Sequence, residues 1–498
     1  MSASMTLDSL SVDLLEVELA QHPFGDTIYL TKRLHDSYEN RLQTLADRMP
    51  IAGSFLECLN RAGPDAWYYA MGNTVVRCAV DHALRAFGPN ARPGLSVGEC
   101  EEVLRAMMGQ IESMGDSAVG SEFLDRLERD GLQNAMWSEQ SSEDAIMRHF
   151  RTLVTDALQI RLCAPDDDER AVFKQGLRLL RELLPEISNS ALRHVHAVAV
   201  FAAEGPMAGS ASSSDINLSG TIFLNRNKLR NPWVVAEHVF HEALHQQLYD
   251  FHQGHTMLLP NPVSTHTVCS LWNLPTSIGD NHWGTWRTIN AFHVYVHLTL
   301  LATVAEQRAV ELEQIYGPVA SIGRRTANAR AHYLGDQLRA VCWDELTKAG
   351  KRWVERFGAV LEVIDLSPPP PGADLHLLLD RYWTEAHMVV SLSDRVGSRP
   401  GAVQQLVDLV DEEVSCIRLA LQDLECQHEV DEFDSAVAVL AGLDPIQRCC
   451  KVRTLIVDTI LAVSPNGGYT LSEAQIPDRM IKDRIDQSSE VLRTLLER

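Results

Sequence analysis

The sequence predicts an α+β protein that is predominantly helical, with one small sheet beside a helix carrying an HExxH pentapeptide. Three observations carry that prediction. Apolar residues recur near a 3.6-residue period over long stretches, as in Val403, Leu406, Val407, Val410, Val414, Ile417, Leu421 and Leu424. Only two short runs alternate with β-branched character, His194–Phe201 and Gly220–Asn225. The run Ser367-Pro368-Pro369-Pro370-Pro371-Gly372 is a linker that neither helix nor strand can continue through. Strand signals are far too few for a jelly roll.

Taken in order, residues 1–165 form a helical N-terminal region. Helices are expected at Ser37–Met49, ending before Pro50, and at Ala66–Phe87, stopped by Gly88-Pro89. Others are expected at 97–113, 119–133 and 141–161. The acidic run Asp166–Glu169 reads as a solvated boundary. Residues 166–366 form a central domain: a helix at 169–183, the two strands, then a helix from Asn231 to His255. Asn231 suits the N-cap of that helix and Pro232 its first turn. Thr256–Trp283 has no clear period, and a loop of that length inside a domain is usually functional or mobile. A long helix follows at Trp286–Tyr316, stopped by Gly317-Pro318, with two more at 319–340 and 344–364. Residues 373–464 form a helical C-terminal region, and 465–498 a polar tail ending in a charged helix.

The formal net charge of −23 disfavours non-specific nucleic-acid binding, which needs a Lys/Arg-rich surface. It suits a cationic peptide partner. The ten cysteines contain no CxxC pair and read as reduced thiols. The first residues lack the basic flank of a signal peptide, and no membrane span is expected. Together these point to a cytoplasmic protein. Oligomeric state is left open.

The chemistry centres on His241-Glu242-Ala243-Leu244-His245. On a helix, positions i and i+4 lie about 40° apart around the axis and roughly 6 Å apart along it, so both imidazoles can reach one metal ion. Glu242 stands beside them, which makes this a zincin-like helix. The third ligand is open at this level. Leu248 and Phe251 exclude the metzincin pattern. A downstream glutamate would be Glu306, Glu311 or Glu313; local alternatives are His238, His252, His255 and His266. On the Trp286–Tyr316 helix, Trp286, Asn290, His293 and His297 make one polar stripe on an apolar rod. Burying such a stripe without partners is costly.

The set HEALH, then His282-Trp283-Gly284-Thr285-Trp286-Arg287, then Ala291-Phe292-His293-Val294-Tyr295-Val296 resembles the HExxH-motif proteins encoded beside peptide natural-product gene clusters. Where that family reads Ser-Pro-Trp-Arg, this chain reads Gly-Thr-Trp-Arg. The resemblance covers about 200–300. It implies an iron(II)- and 2-oxoglutarate-dependent dioxygenase that hydroxylates the β-carbon of an amino-acid side chain, on a peptide or a carrier-bound amino acid, using O₂. It implies His241, His245 and His293 as a facial metal triad. Arg287 is the nearest candidate to hold the far carboxylate of 2-oxoglutarate. Glu242 would handle water or support the metal. The rival readings are a zinc metallopeptidase with Glu242 as general base and a non-enzymatic helical interaction protein.

Overall fold

The computed structural model describes residues 9–21, 23–88, 94–118, 145–202, 212–260, 266–273, 281–365, 368–370, 372–391, 400–464, 471 and 476–497. The helix expected at 119–133, residues 141–144 and the opening of the tail at 465–468 lie outside them. Among the described residues the chain is predominantly helical, with eighteen α-helices and two small sheets. It divides into two compact units. Met1–Pro262, Ile289–Ala331 and Trp343–Leu366 form the first; Val263–Thr288, His332–Cys342 and Ser367–Arg498 form the second.

The first unit opens with α1 (Ser9–Leu19), α2 (Thr27–Ala46), α3 (Pro50–Ala62), α4 (Pro64–Gly72), α5 (Thr74–Ala86), α6 (Val97–Ala118) and α7 (Ala145–Leu158). Two expectations need correction. Helix α2 begins well before Ser37, because Asp26 caps it by accepting from the Tyr29 amide. The single helix expected over Ala66–Phe87 is two. The chain turns extended at Asn73, whose side chain accepts from the amides of Val75 and Val76 and starts α5 afresh. Apolar periodicity runs through that break, so period alone could not show it.

Next come α8 (Asp167–Leu183), α9 (Pro185–Leu192), β1 (Ala197–Phe201), β2 (Ser212–Ser213), β3 (Thr221–Asn225) and α10 (Pro232–Gly254). The acidic run Asp166–Glu169 is the cap and first turn of α8, a capping box with Asp166 and Glu169 each bonded to the other's backbone amide. The sheet has the order β1-β3-β2. β1 pairs parallel with β3 from Ala197↔Thr221 to Phe201↔Asn225, and β2 pairs antiparallel with β3. An apolar core runs from α2 to α7 and into Ala199, Phe201 and Phe223 of the sheet.

Helix α10 starts as its sequence requires, with Asn231 accepting from the Trp233 amide and Pro232 in the first turn. It packs against α2, α8, α9 and β3. Gly176 lets α8 come close: a Cβ there would lie 2.5 Å from Val235 of α10. Gln246 of α10 accepts from the Gly220 amide at 2.7 Å and donates to the Thr221 carbonyl at 3.0 Å, which sets the helix against the start of β3. Gly220 has φ 97°, and a Cβ there would strike the Gly72 carbonyl. Further along α10, Asp250 accepts from Arg77 Nη1 at 2.6 Å and from His194 Nδ1 at 2.7 Å. All three side chains are buried.

Then follow β4 (Val268–Cys269) and β5 (His282–Trp283), paired antiparallel, and α11 (Thr285–Tyr316), α12 (Arg324–Ala340) and α13 (Lys348–Ile364). Helix α11 alone among the described residues is long and apolar enough to cross a membrane, yet 89% of its most apolar window is buried inside the protein. The second unit is completed by α14 (Leu375–Ser391), α15 (Pro400–Asp423), α16 (Gln427–Leu440), α17 (Pro445–Val463) and α18 (Ile476–Glu497). Leu406, Val410, Val414, Ile417 and Leu421 of α15 face its core, as the period predicts. Arg453 is fully buried there. It donates to Glu413 and Glu385, with the Tyr382 ring 4.2 Å from the guanidinium carbon. All ten cysteines are free thiols.

Candidate functional site

Helix α10 is buried along most of its length, but Val234, Glu237, His238, His241 and His245 are only partly so. Their spacing is that of one helix face. Between Val239 and Phe251, His241 and His245 are the residues that reach partly accessible space, and the rest of that stretch is enclosed. The imidazoles of His241 and His245 meet edge to face with ring centroids 5.0 Å apart. His241 keeps 28% of its side-chain surface open, and its Nε2 lies 4.0 Å from Glu242 Oε1, beyond hydrogen-bonding reach.

The surroundings hold these imidazoles neutral. Burial pushes both His241 and His245 down to about 4, and for His245 the neighbouring His241 adds to the effect. At neutral pH each ring has one nitrogen lone pair, the form a metal ligand needs. Burial raises the pKa of Glu242; His245 and the hydroxyls of Ser212 and Ser214 act in the opposite sense. Glu242 Oε2 is buried without a hydrogen-bond partner. Ser212, on the edge strand β2, lies with its Oγ 3.3 Å from His238 Nδ1.

Three of the four residues of the polar stripe of α11 are buried, and Trp286 is partly so. Asn290 is 5% exposed, His293 2% and His297 1%. His297 is satisfied: its Nδ1 donates to the His293 carbonyl at 2.7 Å. His293 is not. Both its ring nitrogens are buried with no hydrogen-bond partner. Its ring packs against Trp353 and Phe357 of α13, at centroid distances of 5.3 and 5.1 Å, and against His297 at 4.4 Å. Burial, then His297 and His245, lower its pKa well below the usual histidine range.

Among the described residues no three His, Cys, Asp or Glu side chains are gathered closely enough to hold a metal ion. The structure brings His241 and His245 together and leaves His293 outside a closed triad. The donor types nonetheless suit a divalent transition metal: two adjacent neutral imidazoles, and a third with two orphaned nitrogens whose protonation burial, His297 and His245 disfavour. Two of the three downstream glutamates pair with arginines. Glu306 is half exposed and pairs with Arg324, and Glu311 is exposed and pairs with Arg308. His255 of the local alternatives bonds the Tyr29 hydroxyl at 3.0 Å.

Arg287 lies in the first turn of α11 as an exposed residue of the second unit. Its guanidinium carbon stands 4.8 Å from the centroid of the Trp283 ring, a cation–π contact within the Trp-Gly-Thr-Trp-Arg element. On an unbroken helix it points about 120° away from His293. Sequence reasoning did not assign a role to Ser212 or Ser214, which fall in an aperiodic Ala/Ser stretch where nothing marks a strand edge. It named Asn290 only as part of the stripe, yet Asn290 is the stripe residue that touches the pentapeptide, with Oδ1 3.4 Å from His245 Nδ1. No protein-family model matches the chain, and no curated protein is significantly similar to it.

Proposed function

We propose that the chain is an iron(II)- and 2-oxoglutarate-dependent oxygenase that hydroxylates the β-carbon of an amino-acid side chain in a peptide or a carrier-bound amino acid. The observation that carries this reading is the orphaned imidazole of His293, deep in the fold and within electrostatic reach of His245. A buried polar group without a partner costs about 1–3 kcal/mol. A metal held by His241, His245 and His293 would remove that cost. The resemblance of the HEALH and Trp-Arg elements to peptide β-hydroxylases supports the same assignment, with α10 as a zincin-like helix beside the sheet.

Iron(II), when bound, would supply the activation of O₂ and of the 2-oxoacid. The chain's own residues do the rest. His241, His245 and His293, as neutral imidazoles, would hold the cation without cancelling its charge. Glu242 sits next to the pair, where burial favours its protonated form, so it can hold or pass a proton at Oε2. The packing of Trp353 and Phe357 around His293 keeps water from that ligand. Arg287 remains the residue assigned to the far carboxylate of 2-oxoglutarate, on its Trp-Arg context.

One observation favours a second reading, a zinc peptidase. A buried glutamate beside a histidine pair is also the arrangement of a general base for metal-bound water. The pairing of Glu306 and Glu311 with arginines weighs against that alternative and leaves Glu313 as its carboxylate candidate. The deciding experiment is metal analysis of the purified protein with a 2-oxoglutarate turnover assay. Iron content with succinate formation supports the oxygenase. Zinc content with peptide cleavage supports the peptidase. Neither supports a helical interaction protein.

A further inference from the structure

A histidine can ligate a metal through either ring nitrogen, and the hydrogen bond made by the other nitrogen decides which. His245 has such a bond. Its Nδ1 lies 3.4 Å from Asn290 Oδ1. A carboxamide oxygen only accepts, so Nδ1 carries the proton and Nε2 keeps the lone pair. The same ring lies against Tyr249, one turn further along α10, at 6.0 Å between centroids and 18° between planes. His245 is thus held by an aromatic ring of its own helix and by an amide of α11. Asn290 is 5% exposed and stands three residues before His293, on the same face of that helix. His241 is different, since its Nε2 faces Glu242 at 4.0 Å.

We propose that Asn290 is a positioning residue of the metal site: it holds His245 in the Nδ1–H tautomer so that Nε2 is presented as the ligand. This rests on the metal-binding reading above. The arrangement also ties the pentapeptide to the helix that carries His293, so one side chain sets the spacing of ligands from two elements. A neutral amide in this role leaves the full metal charge available to an anionic cosubstrate, whereas a carboxylate would offset part of it.

The test uses the full chain and two readouts that do not depend on turnover. In metal-free protein labelled with ¹⁵N-histidine, long-range ¹H–¹⁵N correlations should show His245 as the Nδ1–H tautomer, assigned by its loss in His245→Gln. Asn290→Ala should shift that resonance toward the Nε2–H form common in unrestrained histidine. Cobalt(II) affinity, measured by competition with a chelator, should fall roughly 10–100-fold in Asn290→Ala. Asn290→Asp, which restores an acceptor, should recover it to within a few-fold of wild type. Asn290→Ser replaces Asn290→Ala if the alanine variant does not fold. An Nε2–H tautomer in the wild type, or unchanged cobalt affinity in Asn290→Ala, overturns the positioning role. His241→Ala separates the two levels. If it binds cobalt as the wild type does, the metal reading itself has failed. If it loses cobalt while Asn290→Ala does not, only the role of Asn290 has failed.

Discussion

His293 differs from its neighbour His297 in one respect that matters. One turn apart on the same buried stripe, His297 spends a ring nitrogen on the backbone and His293 spends neither. A histidine kept purely for packing is normally satisfied. His293→Ala should therefore abolish metal retention and activity while the far-UV helical signal is unchanged. The loss should exceed the roughly 10–100-fold expected for an outer partner. If His293→Ala binds metal normally and Glu306→Ala does not, the third ligand is the glutamate and the peptidase reading gains. Arg287 belongs to the same scale. Arg287→Ala should raise the 2-oxoglutarate requirement about tenfold or more, equivalent to about 1.4 kcal/mol or above, with iron binding unchanged. Arg287→Lys should recover only part, because an ammonium cannot reproduce the two-pronged contact of a guanidinium. An unchanged requirement in the alanine variant moves the anchor elsewhere, with Arg324 and Arg325 next to examine. Arg324 already pairs with Glu306.

At the scale of elements, α10 is placed by polar contacts as much as by apolar packing. Asp250 joins it to Arg77 of α5 and to His194 just before β1, all out of water. Burial alone would raise the Asp250 pKa, but Arg77 and then His194 outweigh it and hold the carboxyl well below the usual aspartate range. The folded state thus binds this proton less readily than the unfolded chain. The resulting stabilisation is fully present above the ordinary aspartate pKa of about 4 and is lost as pH falls below it. Asp250→Ala leaves the Arg77 charge buried and unpaired and should cost about 3–5 kcal/mol in chemical denaturation at pH 7. Asp250→Asn should also flatten the acid limb of the stability curve below pH 4. A loss under 1 kcal/mol for Asp250→Ala would mean that water reaches Arg77. Because α10 carries the pentapeptide, metal affinity should weaken along with stability in both variants.

At the scale of the whole molecule, the protein keeps several histidines neutral in its first unit. Burial holds His196 and His238 at about 3, and His35, His241, His245 and His297 at about 4. An unfolded histidine titrates near 6.5. Between pH 6.5 and 4 the unfolded chain therefore binds protons that the folded state refuses, and stability falls as pH falls through that window. A bound metal should oppose this, since it binds the folded form alone. At a free concentration 100 times its dissociation constant it adds about 2.7 kcal/mol. Thermal melts with and without chelator should show a higher midpoint for the metal-loaded protein at pH 7, and the gap should persist at pH 5 and close only toward pH 4, where His241 and His245 take up protons. Equal midpoints at pH 7 would count against a site built from His241, His245 and His293.

Much of this protein follows from local chemistry that a sequence carries in plain form. The caps Asn231-Pro232, the period of Leu406–Leu421 and the β-branched runs ending at Phe201 and Asn225 each specify an element through interactions within a few residues. The i, i+4 spacing of His241 and His245 likewise fixes their shared face wherever the helix goes. What only the tertiary structure decided are the relations between distant segments. Ser212 becomes a sheet edge only because β3 is there to pair with it. Asn290 and His293 look equivalent on the stripe, two polar residues one turn apart. Folding gives one of them the imidazole of His245 as a partner and leaves the other with none, because which polar group meets which is set by the packing of α10 against α11, and no local rule encodes that contact.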